Sequence, residues 1–149
     1  MKVTRRLIVL VGLPGSGKST WAERQGIVVL SSDAVRVLLT GSAEDQSANQ
    51  LVFRVLRYLL AMRVKAGADA TILDATSLTR RERKAWLHTA GTLGLAAEAV
   101  FFETPRAVCR ARNAARSRVV PEDVMRRFAA RLTPPSTEEG FVRVTVVRP

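Results

Sequence analysis

Residues 7–20 read LIVLVGLPGSGKST, and this stretch decides the fold of the chain. Its first five residues are all apolar, which is the pattern of a strand buried on both faces of a parallel sheet. The eight residues that follow, 12–19, fit G-x-x-x-x-G-K-[ST], in which glycines let the backbone curl around phosphate groups at the start of a helix. The stretch therefore predicts a strand, a phosphate-binding loop and a helix in succession.

This loop predicts binding of a nucleoside triphosphate, and we expect ATP together with Mg²⁺. Lys18 can reach the β- and γ-phosphate oxygens, and the Ser19 hydroxyl is placed to ligate Mg²⁺. The expected ATP contacts within the loop and the first helical turn are Gly12, Leu13, Pro14, Gly15, Ser16, Gly17, Lys18, Ser19 and Thr20. A chance glycine-rich turn is the alternative, and eight matching positions directly after an apolar strand argue against it.

Strand and helix patterns alternate along the rest of the chain, which predicts a mostly parallel sheet covered on both faces. Ser32 or Asp33 is expected to cap the second helix, which Gly41 ends. Further strands are predicted at 27–30, 71–73, 97–102 and 141–147. Helices are predicted from 17 or 18 to 25, at 33–39, 50–65 and 79–93, from 105 and at 121–132. We therefore predict an α/β fold of the P-loop, nucleotide-kinase-like type: one three-layer α/β/α domain over residues 1–149 with a five-stranded sheet and a helical, arginine-bearing lid.

The composition restricts the classes of partner and compartment. Of the 149 residues, 24 are lysine or arginine and 13 are aspartate or glutamate, so the formal net charge is +11. Such a charge attracts polyanions, which makes a nucleic acid a candidate partner, although an arginine-rich composition explains it about as well. Cys109 is the single cysteine, and no apolar run approaches the ~20 residues of a membrane-spanning helix. We expect a cytoplasmic protein without disulfides or a membrane partner.

In SSDAVR, residues 31–36, a carboxylate and a guanidinium follow the second predicted strand. Ligands of an open parallel sheet gather beyond the carboxyl ends of its strands, so Asp33 is expected to face the transferring phosphate and accept a proton from an attacking hydroxyl. Arg36 lies one helical turn further along the same face, where it could hold an anionic group of the acceptor. The alternative is that Asp33 only caps its helix and Arg36 is surface charge.

Asp74 ends an apolar strand in ILDAT, residues 72–76, and this pattern resembles a Walker B strand. The carboxylate of such a strand orders Mg²⁺ or its waters, so Asp74 is a candidate metal-side residue together with Ser19. An aspartate that only initiates a turn is the alternative.

Arginines concentrate in two later segments. Arg112 and Arg116 are spaced i,i+4 near a helix end, from which both can reach a triphosphate as part of a lid. The whole cluster comprises Arg106, Arg110, Arg112, Arg116 and Arg118. A second run, TRRERK at 79–84, makes Arg80 a candidate acceptor contact, although a solvated face is the usual place of such a charge run.

These motifs together resemble the kinase module of bacterial polynucleotide kinase–phosphatase end-healing enzymes and, more distantly, bacteriophage polynucleotide kinase. The matching segments are GLPGSGKSTWA, SSDAVR, EDQ, ILDAT, VCRARNAARSR and VVPEDVMRR, and they span nearly the full length. The resemblance implies a kinase that transfers the γ-phosphate of ATP to a 5′-hydroxyl end of RNA or DNA during repair. It also implies a separate phosphatase or ligase partner, since such modules usually lie in larger chains and no D-x-D-x-T phosphatase signature occurs here.

The resemblance also implies roles for individual side chains. Asp33 would be the general base that activates the 5′-hydroxyl, and Arg36 would hold the neighbouring phosphate of the acceptor. Gln46 would contact the acceptor strand. The lid arginines on ATP would be Arg112, Arg116 and Arg118, with Arg116 on the transferring phosphoryl group. The spacing after Arg116 is one residue shorter than in the bacterial relatives.

Two other functions stay open at this point. A phosphate-binding loop also suits a kinase for a small-molecule alcohol, such as a sugar, an antibiotic or a nucleoside. A neutral acceptor of that kind has no phosphate for Arg36 to hold. The third possibility is a nucleotide-hydrolysing switch or RNA-binding adaptor that transfers no phosphoryl group.

Overall fold

The computed structural model describes residues 4–117 and 119–149. Its strands are β1 (Arg6–Val11), β2 (Val29–Ser31), β3 (Ala70–Asp74), β4 (Ala96–Phe102) and β5 (Arg143–Val147). They form one sheet in the order β2-β3-β1-β4-β5, and every neighbouring pair runs parallel. The prediction of a mostly parallel, five-stranded sheet is therefore confirmed.

Helices connect these strands, as the sequence predicts. In the described part of the chain they are α1 (Lys18–Glu23), α2 (Ser32–Thr40), α3 (Asn49–Lys65), α4 (Arg80–Thr92), α5 (Arg106–Ala114) and α6 (Glu122–Arg131). Short 3-10 turns lie at Gln46–Ala48, between α2 and α3, and at Thr137–Glu139. None of the helices described is both long and apolar enough to cross a membrane.

Alternate side chains of β1 point into two separate halves of the core. Leu7 and Val9 are buried in a cluster with apolar residues of α3 and α4. Ile8 and Leu10 are buried in a second cluster, which includes Ala22 of α1. Burial on both faces explains why β1 is continuously apolar rather than alternating. The three-layer α/β/α arrangement is confirmed.

The prediction that Ser32 or Asp33 caps α2 is wrong, because Ser31 is the cap. The Ser31 hydroxyl oxygen accepts a hydrogen bond from the backbone amide of Ala34 at 3.2 Å. Three consecutive residues are of cap-forming types, so the sequence alone does not select among them. In the structure β2 continues to Ser31, which leaves this residue extended and ready to cap. Asp33 consequently lies within the first helical turn and does not cap α2.

Arg83 contradicts the expectation that residues 79–84 form a solvated face, because it is completely buried. Its guanidinium donates to both carboxylate oxygens of Glu139, at 2.8 and 3.1 Å, and to the carbonyl oxygens of Ser77 and Leu78, both at 3.0 Å. The Glu139 carboxylate also accepts a hydrogen bond from the Ser136 amide. Arg83 thereby joins the start of α4 to the loop after β3 and to the C-terminal 3-10 turn.

We expect Arg83→Met to lower the free energy of unfolding by about 3–5 kcal/mol, since it leaves Glu139 buried without its partner. Urea denaturation followed by circular dichroism measures this loss. Arg81→Met is the matched control, because Arg81 is exposed on the same helix and should change stability by less than about 0.5 kcal/mol. Equal stability of the two variants would show that the buried pair contributes nothing.

Candidate active site

A cleft of about 1150 Å³ opens beyond the carboxyl ends of the central strands. It is lined by the loop after β1, by the start of α2, by the end of β3 and by parts of α5 and α6. The strand β1 lies between β3 and β4, at the position where the chain changes its direction of travel across the sheet. Such a switch point is where open α/β sheets bind their ligands.

The phosphate-binding loop has the backbone conformation that its glycines predict. Gly15 and Gly17 have φ angles of 81° and 101°, in the left-handed region that favours glycine. A Cβ atom at Gly15 would lie 2.5 Å from the carbonyl oxygen of Cys109, so α5 packs directly against the loop. Gly17 is the N-cap of α1, and the helix begins at Lys18, which is the second of the two expected starts.

The Lys18 ammonium lies among the charged groups of the predicted site. It donates a hydrogen bond to the Gly12 carbonyl oxygen at 2.6 Å, which leaves further N–H donors for phosphate oxygens. Burial lowers the pKa of Lys18, and the Asp74 carboxylate opposes this most strongly. Arg116 lowers the pKa and Asp33 raises it, each by a smaller effect. Lys18 therefore lies within electrostatic range of three other predicted site residues.

Ser19 and Asp74 meet at one end of the loop. The Ser19 hydroxyl donates to the Asp74 carboxylate at 3.3 Å, although the two residues are 55 positions apart. A hydroxyl and a carboxylate oxygen are the hard ligands that Mg²⁺ prefers, usually together with water and substrate phosphates. The two side chains thus fit the donor set expected for a magnesium ion.

Asp33 and Arg36 form an ion pair on α2, with 2.9 Å between Oδ1 and Nη1. The Asp33 side chain is half exposed to the cleft, whereas Arg36 is only 5% exposed. A second hydrogen bond runs from Arg36 Nη2 to Oδ1 of Asn49, at 2.8 Å. Arg36 is therefore a buried cation with fixed partners, which excludes the alternative of a solvated surface charge.

The predicted lid arginines Arg112 and Arg116 also line the cleft. Nη1 of Arg112 would lie 3.6 Å from a Cβ atom placed on Gly17, which brings this arginine over the phosphate-binding loop. Asn113, which is buried, closes the segment between α5 and α6 with two hydrogen bonds to the backbone of Val120, at 2.8 and 3.0 Å. The predicted Arg118 lies outside the described residues.

The cleft includes Gln46 but not Arg80. Gln46 lies on the 3-10 turn between α2 and α3 and lines the cleft on the side of Asp33 and Arg36. Arg80 begins α4 and is exposed, and it is not among the lining residues. Further lining residues, to which the sequence assigns no role, include Trp21, Arg24, Thr104, Arg127 and Arg148. Trp21 and Arg127 lie within the matching segments GLPGSGKSTWA and VVPEDVMRR, whereas no local motif marks the other three.

Comparison with known proteins identifies the family of this chain and the relatives that it resembles. A family model described as an AAA domain matches residues 7–135. The bifunctional polynucleotide phosphatase/kinase of Schizosaccharomyces pombe is 26% identical over 148 residues, which make up 96% of this chain and 33% of that protein. The chain thus spans about a third of the length of this curated relative. The expected resemblance to polynucleotide kinase–phosphatase kinase modules is confirmed.

Two solved structures of low sequence identity share the fold. A chain of the Pnkp1/Rnl/Hen1 RNA repair complex has a TM-score of 0.76 at 20% identity, covering 89% of this chain and 45% of its own length. A sugar kinase from Janibacter sp. HTCC2649 has a TM-score of 0.68 at 21% identity, covering 97% of this chain and 85% of its own length. The predicted P-loop kinase fold is confirmed.

Proposed function

We propose that this chain transfers the γ-phosphate of ATP to a 5′-hydroxyl end of RNA or DNA. The premise is that the chain belongs to the AAA domain family and is an enzyme of the P-loop kinase type. One observation carries the proposal: a single cleft contains both the phosphate-binding loop and the Asp33–Arg36 pair. The loop suits the donor triphosphate. The pair offers the acceptor a carboxylate for its hydroxyl proton and a cation for an adjacent phosphate.

The donor side of the mechanism rests on the loop and the lid. Lys18 binds oxygens of the β- and γ-phosphates through the N–H donors that Gly12 does not engage. Ser19 and Asp74 would hold Mg²⁺. The bound ion would neutralise negative charge on the phosphates. Arg112 and Arg116 offset the charge that develops on the transferring group.

The acceptor side of the mechanism rests on α2 and the 3-10 turn that follows it. Asp33 accepts the proton of the 5′-hydroxyl as its oxygen attacks the γ-phosphorus. The bond between the γ-phosphorus and the β–γ bridging oxygen breaks, and ADP leaves. Arg36 and Gln46 bind the terminal nucleotide, and the net charge of +11 attracts the rest of the polyanion. We propose a phosphatase or a ligase as the partner of this chain in end repair.

A second candidate is a kinase for a small-molecule alcohol. The sugar kinase from Janibacter sp. HTCC2649 has the same fold over 97% of this chain, and one fold can serve acceptors of different classes. The buried Arg36 favours a polynucleotide acceptor. A guanidinium beside the Asp33 carboxylate can bind a phosphate of the acceptor, and a neutral alcohol has no such phosphate.

An acceptor screen with γ-labelled ATP tests the proposal. Matched 5′-hydroxyl RNA, DNA and dinucleotide 3′-phosphates are compared with a panel of sugars, nucleosides and aminoglycosides. We expect label on 5′ ends, removable by a phosphatase, and loss of that label with Arg36→Ala. Label on a small alcohol alone, unchanged in Arg36→Ala, would establish the second candidate. RNA-stimulated release of phosphate without a labelled end would indicate a non-transferase ATPase.

A further inference from the structure

Arg36 is the centre of a buried polar cluster that reaches beyond the cleft. Its guanidinium carries five N–H donors, and such a group is costly to bury unless it has acceptors. In the described part of the chain, Nη1 donates to Asp33 and Nη2 donates to Asn49, whereas Nε is buried without a partner. The direction of the guanidinium plane therefore depends on only a few contacts.

Asn49 contacts Arg36 from a different helix, because Arg36 lies on α2 and Asn49 lies on α3. It is the first residue of α3, yet its side chain does not cap that helix, because the N-cap is Ala48 and makes no side-chain hydrogen bond. The Asn49 amide oxygen instead accepts from Arg36 Nη2 at 2.8 Å, 13 residues away along the chain. Asn49 is partly buried and is not itself among the residues that line the cleft.

We infer that Asn49 is a positioning residue for the acceptor side of the reaction, an inference that rests on the proposed function. By holding Nη2, Asn49 directs Nη1 to Asp33 and keeps the guanidinium plane oriented towards the cleft. Removal of this oxygen leaves a buried cation with one anchor fewer, so the guanidinium is free to rotate away from the carboxylate. The Asn49 side chain thus acts on the acceptor through Arg36 and does not touch it.

The kinetic test compares Asn49→Leu, which removes the accepting oxygen at similar volume, with Asn49→Asp, which keeps an accepting oxygen at the same atom. With a 5′-hydroxyl oligonucleotide, we expect Asn49→Leu to lower kcat/KM for the acceptor by about 10- to 100-fold, the effect of one hydrogen bond to a charged group. The KM for ATP should stay within about threefold, because the loop and lid are untouched. Asn49→Asp should retain most of the activity.

Gln50→Leu is the matched control, since Gln50 is the exposed neighbour of Asn49 on α3 and should behave as the unaltered protein. An Asn49→Leu enzyme with normal acceptor kinetics would overturn the inference. The inference would also be overturned if Asn49→Leu lost kcat/KM equally for ATP and for the acceptor and Asn49→Asp did not restore it. That result would indicate a general structural defect.

A second measurement is independent of activity. The Arg36 Nε–H resonance, recorded by nitrogen-15 NMR without substrate, should be sharp in the unaltered protein and in Asn49→Asp, and broadened in Asn49→Leu. An unchanged resonance in Asn49→Leu would overturn the positioning role whatever the acceptor is. If instead the unaltered protein labels no 5′ end while the resonance responds as expected, the proposed function fails and the Asn49–Arg36 contact is retained.

Discussion

Replacement of Asp33 by asparagine is expected to reduce kcat for 5′-end phosphorylation by about 10²- to 10⁴-fold, the usual contribution of a general base. The amide keeps the size of the side chain and can still accept from Arg36, but it cannot take up the hydroxyl proton. The carboxylate is half exposed in the cleft, and Ser31 carries out the capping of α2, so α2 should stay folded although Arg36 loses a charged partner. ATP affinity should change little, because Asp33 does not belong to the phosphate-binding loop.

Single-turnover kinetics with enzyme in excess of a 5′-hydroxyl oligonucleotide measures this effect on the chemical step. Asp69→Asn is the matched control, since Asp69 is an exposed carboxylate at the opposite, amino-terminal end of β3. Thermal unfolding of both variants confirms that each is folded. A full rate for Asp33→Asn would remove this residue from the mechanism, and the base would then lie elsewhere in the cleft.

Replacement of Lys18 by methionine is expected to affect both donor binding and chemistry. Loss of one preorganised donor to the transferring group costs about 10²- to 10³-fold in kcat. Loss of a charge-assisted hydrogen bond to phosphate costs roughly a further 10- to 100-fold in ATP affinity. Methionine fills the space of the lysine stem, so α1 and the loop backbone should keep their conformation.

Isothermal titration with a non-hydrolysable ATP analogue separates the binding part of the Lys18→Met effect from the kinetic part. Lys84→Met is the matched control, because Lys84 is exposed on α4 and does not line the cleft. Unchanged analogue affinity together with an unchanged rate would mean that the loop does not hold the transferring phosphate. Those results would contradict the assignment of the loop as the donor site.

Much of the fold is predictable because its signals are local. The apolar run of β1 and the glycines of the following loop specify their conformations within a few residues of sequence. The spacing of buried residues on α3, at Val52, Leu56 and Leu60, repeats with the period of a helix and identifies its inner face. Lys18 and Asp33 each follow the carboxyl end of a strand. Because the strands are parallel, their carboxyl ends lie at the same edge of the sheet, and the two residues are predicted to lie there together.

The features that were missed depend on contacts between distant segments. Arg83 is in a charge run that looks solvated, and its burial requires Glu139, which lies 56 residues later. Asn49 is at a position that favours helix capping, and only the packing of α3 beside α2 turns it towards Arg36. The pattern of charges along the sequence does not predict such pairs. Whether a charged side chain can be buried depends on the partner that it meets in the folded protein.

The claim that donor and acceptor sites converge on one phosphorus is tested most directly by a crystal structure. The complex would contain ADP, Mg²⁺, aluminium fluoride as the analogue of the transferring phosphoryl group, and a 5′-hydroxyl dinucleotide. We predict the 5′-oxygen at about 3 Å from a carboxylate oxygen of Asp33, with Lys18 on the opposite side of the aluminium. A dinucleotide bound with its 5′-oxygen in another crevice, out of reach of Asp33, would contradict the proposed mechanism.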